Sequence, residues 1–490
     1  MHPDPASTHD LSGAVERVLD ALERFLEFDG PDPARHRSSW LPALNRPLPQ
    51  IGVGRDAALG ELTDAVIANG LRIGHPGFTG WVTTMPTDVG AAADLAQTVG
   101  VPQRWWATPG NLVDHLAVRW LIELLGFPAT YAGTLTSGGS TANLVGIGAA
   151  RQHAGERLGL DASLDGISGF SNPKVYASET THHVVGRALG VLGMGRANLR
   201  AIPLDARGTM DTGRLVQALD QDEADGCTQV AIVGSAGDAN MGLIDPLPEL
   251  AVIAHERSIW FHVDGAYGGF GLLDPRIRDR YGDVSEYDSF AVDPHKWMAA
   301  PIGTGAVFVR DESLLTRAFT VETGSYDSER SVERGMGDLG SPFDELGYGT
   351  PDWGVEFSTP ARGVAVWAIL NEIGADGMRR RVIRHNDCAR RVAERAKESP
   401  ELELLAEPTL SICCFRYRPP GMGAEEADSL NERLLHELRA GGSYVTSSTT
   451  VEGAFALRHC FINPRSTVTE ADGLVDEVLA IGRRLHAPSN

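Results

Sequence analysis

The chain has 490 residues, more than one hydrophobic core usually serves, so a large domain with at least one smaller one packed on it is expected. Lysine and arginine number 43 against 65 aspartates and glutamates, a formal charge of −22; this argues against a nucleic-acid or anionic-membrane partner, either of which favours a basic surface. Five cysteines with no CxxC pair argue against a zinc ribbon and suit a reducing cytoplasm, and neither a signal peptide at Met1-His2-Pro3-Asp4-Pro5 nor an apolar run long enough to span a bilayer is found.

In chain order, residues 1–10 read as disordered, and the apolar spacing of Val15, Val18, Leu19, Leu22, Phe25 and Leu26 predicts an amphipathic helix over 11–28. Proline-rich connections lead to Gly74-His75-Pro76-Gly77-Phe78-Thr79-Gly80-Trp81. Phe78 and Trp81, with Trp105 and Trp106 further on, are candidate walls of a ligand site, although large aromatics are more often core. A helix over 112–126 stops at Gly126 before Pro128. A β-like run then enters Ser137-Gly138-Gly139-Ser140 and a following helix. Amides at a helix start, uncovered by glycine and helped by a serine, form an anion cradle. A glycine-rich helix start without a ligand fits the same residues.

Beyond this, strand-like runs at 174–177, 199–203, 230–233, 259–263, 289–292 and 306–309 alternate with helical patterns such as 212–219 and 248–255. That is the βαβ alternation of a mostly parallel sheet, whose ligands sit at the carboxyl ends of strands. At those ends stand His182, Ser235, Asp264 and the run Asp293-Pro294-His295-Lys296-Trp297. A confined, partly desolvated lysine is what a Schiff-base nucleophile requires; a lysine hydrogen-bonded at a strand end explains Lys296 alone equally well. Residues 320–360 are glycine-rich, polar and poorly periodic, as in a lid or a disordered loop. A smaller α/β pattern follows, with helices at 378–398, 425–440 and 469–486 and strands at 409–416 and 455–461. The expected division is an N-terminal helical segment 1–92, a large domain 93–366 and a small domain 367–490.

Taken together, Lys296, the Gly138-Gly139-Ser140 cradle and Asp264 are the groups that a phosphorylated aldehyde cofactor with a protonated ring nitrogen needs. Ala266 is small enough to lie under such a ring, and His182 could stack on its other face. Thr136-Ser137-Gly138-Gly139-Ser140-Thr141-Ala142-Asn143-Leu144, His262-Val263-Asp264-Gly265-Ala266-Tyr267-Gly268-Gly269 and Asp293-Pro294-His295-Lys296-Trp297 resemble the group II pyridoxal-phosphate-dependent amino acid decarboxylases over about residues 70–485. The resemblance implies an α/β fold of fold type I, the PLP-dependent transferase fold, in a cytoplasmic homodimer with its active site at the subunit interface. It implies pyridoxal 5'-phosphate bound covalently by Lys296, with Gly138, Gly139, Ser140, Ser235 and His295 around the cofactor, Asp264 on the pyridinium nitrogen, and Ala266 and His182 sandwiching the ring. It further implies a lid tyrosine, Tyr326, as proton donor, the N-terminal helix wrapped on the partner, and substrate-side positions at Thr87 and Arg362.

The implied reaction is decarboxylation of an L-amino acid to the amine and CO2 through a Schiff base and a quinonoid. Carbon–carbon lyase cleavage, oxidative deamination and a non-catalytic cofactor-binding paralogue are the alternatives. The sequence departs from the family's pattern at Asp293, where asparagine is usual, at Ser140-Thr141-Ala142, at the arginine run reduced to Arg362, and in the lid. Substrate identity is not legible: the aromatics suggest an aromatic side chain, whereas an acidic one would need an unpaired cation such as Arg104.

Overall fold

The computed structural model describes residues 10–27, 37–100, 109–320, 353–356 and 359–487. Its central sheet contains β1 (Ala132–Thr136), β2 (Lys174–Ser178), β3 (Leu199–Ile202), β4 (Gln229–Ser235), β5 (Trp260–Gly265), β6 (Ser289–Val292) and β7 (Gly305–Val309), in the order β1-β7-β6-β5-β4-β2-β3. Pairings from β3 across to β6 are parallel, while β7 runs antiparallel to both β6 and β1. The expected strand runs all appear, and the sheet is mostly parallel.

Strand alternation divides the apolar residues between two layers. Phe261 and Val263 of β5 join a core with Leu121, Leu215, Leu247 and Phe290 on one face. Trp260 joins Val145, Ile147, Val185 and Leu189 on the other, beneath the helices Gly139–Arg157 and Val184–Val191. His262 and Asp264 therefore share the face of Trp260 and point toward the helix that follows the glycine turn.

A second, antiparallel sheet comprises β8 (Leu402–Ala406), β9 (Ile412–Tyr417), β10 (Ser447–Val451) and β11 (Ala454–Cys460), in the order β10-β11-β9-β8. It packs against Gly363–Glu398, Ala424–Gly441 and Val468–His486. The edge strands β8 and β10 were not anticipated, because edge strands need only a weak apolar pattern and β10 is rich in serine and threonine. The expected boundary at 366/367 falls inside the helix Gly363–Glu398, whose break comes at Gly374 with φ 65°.

The two sheets are joined behind the lysine stretch. Trp297, fully buried, stacks on Tyr267 at 5.4 Å and 9°. Its indole N–H donates to His385 Nδ1 at 2.9 Å on the long helix, and Tyr267 shares a 2.8 Å hydrogen bond with Ser411 at the start of β9. The helix Leu11–Leu26 begins at Asp10, which caps Gly13 N at 3.0 Å, and leaves Leu11 and Leu19 about half exposed. Among the described residues, no helix is long and apolar enough to cross a membrane.

Three histidines, His262, His385 and His459, are fully enclosed. Burial pushes His262 down to about 4 and His459 to about 3, and drives His385 well below its ordinary value, with Arg384 and Arg381 adding to the effect. Their folded pKa values lie below the unfolded one, so the unfolded chain binds more protons on acidification. Stability is therefore fully present above about pH 6.5 and is lost as pH falls toward 4. Thermal midpoints measured between pH 7.5 and 4.5 should fall progressively on the acid side of about 6.5, and a flat profile there would contradict the buried neutral state of these rings.

Candidate active site

The carboxyl ends of β4, β5 and β6 lie side by side: Ser235 pairs with Asp264, and Gly265 with Val292. Parallel register thus brings Ser235, Asp264 and the lysine turn to one edge. β2, which pairs with β4, delivers His182 to the same edge.

The glycine turn closes this edge from the far side of β7. Gly138 has φ +124°, a conformation that favours glycine, and its carbonyl accepts from Thr141 N and Ala142 N, both at 3.0 Å. The helix starts at Gly139, so its first N–H groups have no partner within the helix. A Cβ on Gly139 would lie 2.6 Å from Asp293 Oδ2 and 3.0 Å from the Cβ of Ala266. Three segments far apart in sequence therefore meet at one residue with no room for a methyl. Gly138 and Gly139 are buried, whereas Ser140 is exposed.

The lysine turn leaves β6 through Asp293. Lys296 N donates to Asp293 O at 3.0 Å, His295 N to Thr304 O at 3.1 Å, and Ala299 adopts φ 59°, a strained value for a residue with a side chain. Lys296 Nζ is 3.1 Å from Asp293 Oδ2. Asp293 is 2% exposed, and its Oδ1 has no hydrogen-bond partner among the described residues. His295 Nδ1 lies 2.8 Å from the carbonyl of Thr304; a carbonyl only accepts, so Nδ1 carries the proton. His295 Nε2 faces Asp293 Oδ2 at 3.8 Å.

Asp264 is buried and accepts from Ala266 N at 3.1 Å, which fixes the turn after β5. The His182 ring packs against His183, centroids 4.2 Å apart and tilted by 33°, and its Nδ1 accepts from Val184 N at 3.4 Å. Loss of solvation lowers the His182 pKa; Asp264 partly offsets this, and His183 and Lys296 add to it. The ring is therefore held neutral within electrostatic reach of both Asp264 and Lys296. Ser235 is fixed through its backbone, donating to Asp245 Oδ2 at 2.8 Å and accepting from Asp245 N at 2.9 Å. Burial pushes Asp245 up to about 6.

Of the residues suggested for the substrate side, Phe78 is a core residue at 1% exposure, whereas Trp81 is 53% exposed with φ 51°. The Thr87 backbone N–H bonds Ala299 O at 3.0 Å, and its hydroxyl accepts from Gly90 N at 3.0 Å, capping the helix Asp88–Gly100. Arg362 pairs with Glu356 at 3.3 Å, and Glu356 also accepts from Ser137 N at 3.1 Å beside the glycine turn. Tyr326 and Trp105 lie outside the described residues. Sequence reasoning missed Glu356, Asp245 and Asn143. Asn143 sits four positions after Gly139 and so on the same helix face, a signal that was available; Glu356 and Asp245 carry no local signal.

These groups fit pyridoxal phosphate: an amine beside a buried carboxylate, a helix start cleared by glycine, and a second buried carboxylate at the end of β5. Residues 58–418 match the pyridoxal-dependent decarboxylase conserved domain. The chain is 28% identical over 447 residues to the aromatic-L-amino-acid decarboxylase of Bacillus atrophaeus, covering 90% of this chain and 88% of the relative. It is 28% identical over 449 residues to the L-2,4-diaminobutyrate decarboxylase of Rhizobium meliloti (strain 1021), covering 90% and 84%. Its fold matches the crystal structure of the Oryza sativa TDC with PLP and tryptamine at a TM-score of 0.87, with 22% identity over 98% and 99% of the two chains.

Gly139→Ala should yield a folded protein whose affinity for pyridoxal phosphate is weakened by roughly tenfold or more, because the methyl meets Asp293 and Ala266. Visible-absorbance titration of the cofactor-free protein measures this, and unchanged affinity would count against the close packing at Gly139.

Proposed function

We infer that this chain, which belongs to the pyridoxal-dependent decarboxylase family, converts an L-amino acid to its amine and CO2 with Lys296 as the covalent anchor of pyridoxal phosphate. The observation that carries this reading is the meeting of Lys296, Asp293, Gly139 and Ala266 within contact distance at the carboxyl edge of the sheet. Pyridoxal phosphate supplies there an electron sink for the pair left at Cα when the carboxylate departs.

The residues act as follows. The amides and glycine-cleared surface at Gly138, Gly139 and Ser140 hold the phosphate, with His295 beside them. Asp264 is the buried carboxylate that keeps a proton on the ring nitrogen. Ala266 would offer a small surface to one face of the ring and His182 would cover the other, with Ser235 at the rim. Asp293 pairs by charge with the Lys296 amine at 3.1 Å and so steers it whenever the amine is free. Tyr326 is assigned as the donor that returns a proton to Cα, with His182 as the alternative donor.

Engagement of Arg362 by Glu356 leaves that guanidinium already neutralised, which favours a neutral or cationic substrate side chain over an acidic one. The exposed Trp81 is in keeping with an aromatic side chain, and the two relatives act, by name, on an aromatic amino acid and on L-2,4-diaminobutyrate. The exposed Leu41, Leu44, Leu48, Ile51 and Val53 of the N-terminal segment support its burial against a second copy in a homodimer.

Carbon dioxide release from a panel of aromatic, cationic and acidic L-amino acids, with product mass, tests the reaction. The expected result is amine from a neutral or cationic member, and a loss of roughly a thousandfold or more in Lys296→Ala. No carbon dioxide from any member would sink the reading. Tyr326→Phe should raise the share of aldehyde over amine in the product; an unchanged amine yield would remove Tyr326 from the proton-donor role.

A further inference from the structure

Beneath the glycine turn runs a chain of side-chain hydrogen bonds in which every proton can be assigned. Asn143 Nδ2 donates to Gly139 O at 2.8 Å. The amide oxygen of Asn143 therefore faces His262 Nε2, 2.9 Å away, and must accept from it. Burial pushes the His262 pKa down to about 4, so the ring is neutral and, with Nε2 protonated, Nδ1 is bare. Nδ1 then accepts from the hydroxyl of Ser289 at 2.7 Å, and Ser289 Oγ accepts from the indole N–H of Trp260 at 2.8 Å. All four side chains are buried, with at most 3% exposure. The chain links β5, β6 and the helix Gly139–Arg157 in one direction, ending on the carbonyl of the residue that clears the cradle.

The space for it is also built. A Cβ on Gly146 would lie 2.6 Å from His262 Cε1 and 2.7 Å from Nδ1. His262 is two residues before Asp264 on the same strand face, and Asn143 is one helical turn after Gly139.

We propose that His262 and Asn143 are positioning residues that set the Gly138–Ser140 cradle at a fixed separation from Asp264, so that the two ends of the cofactor are gripped by one rigid unit. This rests on the assignment of that turn as the phosphate cradle. A buried polar chain is stabilising only when each member is satisfied, so cutting the link at Asn143 frees the cradle while leaving β5 in place.

Glutamine and asparagine separate the two halves of the histidine. The amide of a glutamine reaches the place of Nε2 and keeps the bond to Asn143, whereas that of an asparagine reaches the place of Nδ1 and keeps only the bond to Ser289. Cofactor-free protein is titrated with pyridoxal phosphate by visible absorbance, at a temperature where circular dichroism shows each variant folded. His262→Gln should bind within roughly threefold of wild type, while His262→Asn and Asn143→Ala should bind about tenfold or more weakly. All three should lower the thermal midpoint, because each breaks a buried polar link; a purely structural role would move only that. Wild-type affinity in folded His262→Asn and Asn143→Ala, or equal weakening in the glutamine and asparagine variants, would overturn the proposal. Failure of the wild-type protein itself to bind pyridoxal phosphate would instead overturn the cradle assignment beneath it.

Discussion

The tightest constraint in this molecule is steric. At Gly139, the first turn of a helix, the turn after β5 and the turn after β6 approach so closely that a Cβ would meet both Asp293 and Ala266. Close-packed interiors do not adjust freely to an added methyl. The helix start, the carboxylate of Asp264 and the amine of Lys296 are thus positioned by one contact, and the geometry of the edge follows from it.

The second constraint is electrostatic. A carboxylate as enclosed as Asp293 is costly unless paired, and its partner is the amine of Lys296. The lysine turn is braced to make that pairing hold. Thr304 accepts from His295 by both backbone and ring, Ala299 is kept in a strained backbone conformation, and Trp297 is clamped between Tyr267 and His385. Through Tyr267, Ser411 and His385 the same brace reaches the second sheet and the long helix, so the small sheet supports the lysine turn from behind.

Much of the site was legible because parallel sheets place chemistry at predictable ends. The runs before His182, Ser235, Asp264 and Lys296 are apolar and short, so their strands and their polar ends could be read directly. The glycine turn was legible for the same local reason. Asn143 could have been added, since helical spacing alone aligns it with Gly139. The edge strands β8 and β10 were not legible, because partial exposure relaxes the apolar alternation that marks a strand.

The sequence by itself determined the mostly parallel sheet, the glycine turn, the lysine turn and the carboxylate of Asp264, because each is encoded by a contiguous run whose period or turn chemistry is local. Only the tertiary structure decided that β7 runs against its neighbours, that Phe78 is core while Trp81 is exposed, that Glu356 engages Arg362, and that Asp293 pairs with Lys296 and packs closely against Gly139. Most of those facts join residues from separate elements, and the charge and space around each depend on what the rest of the chain brings beside it. No local period carries that information.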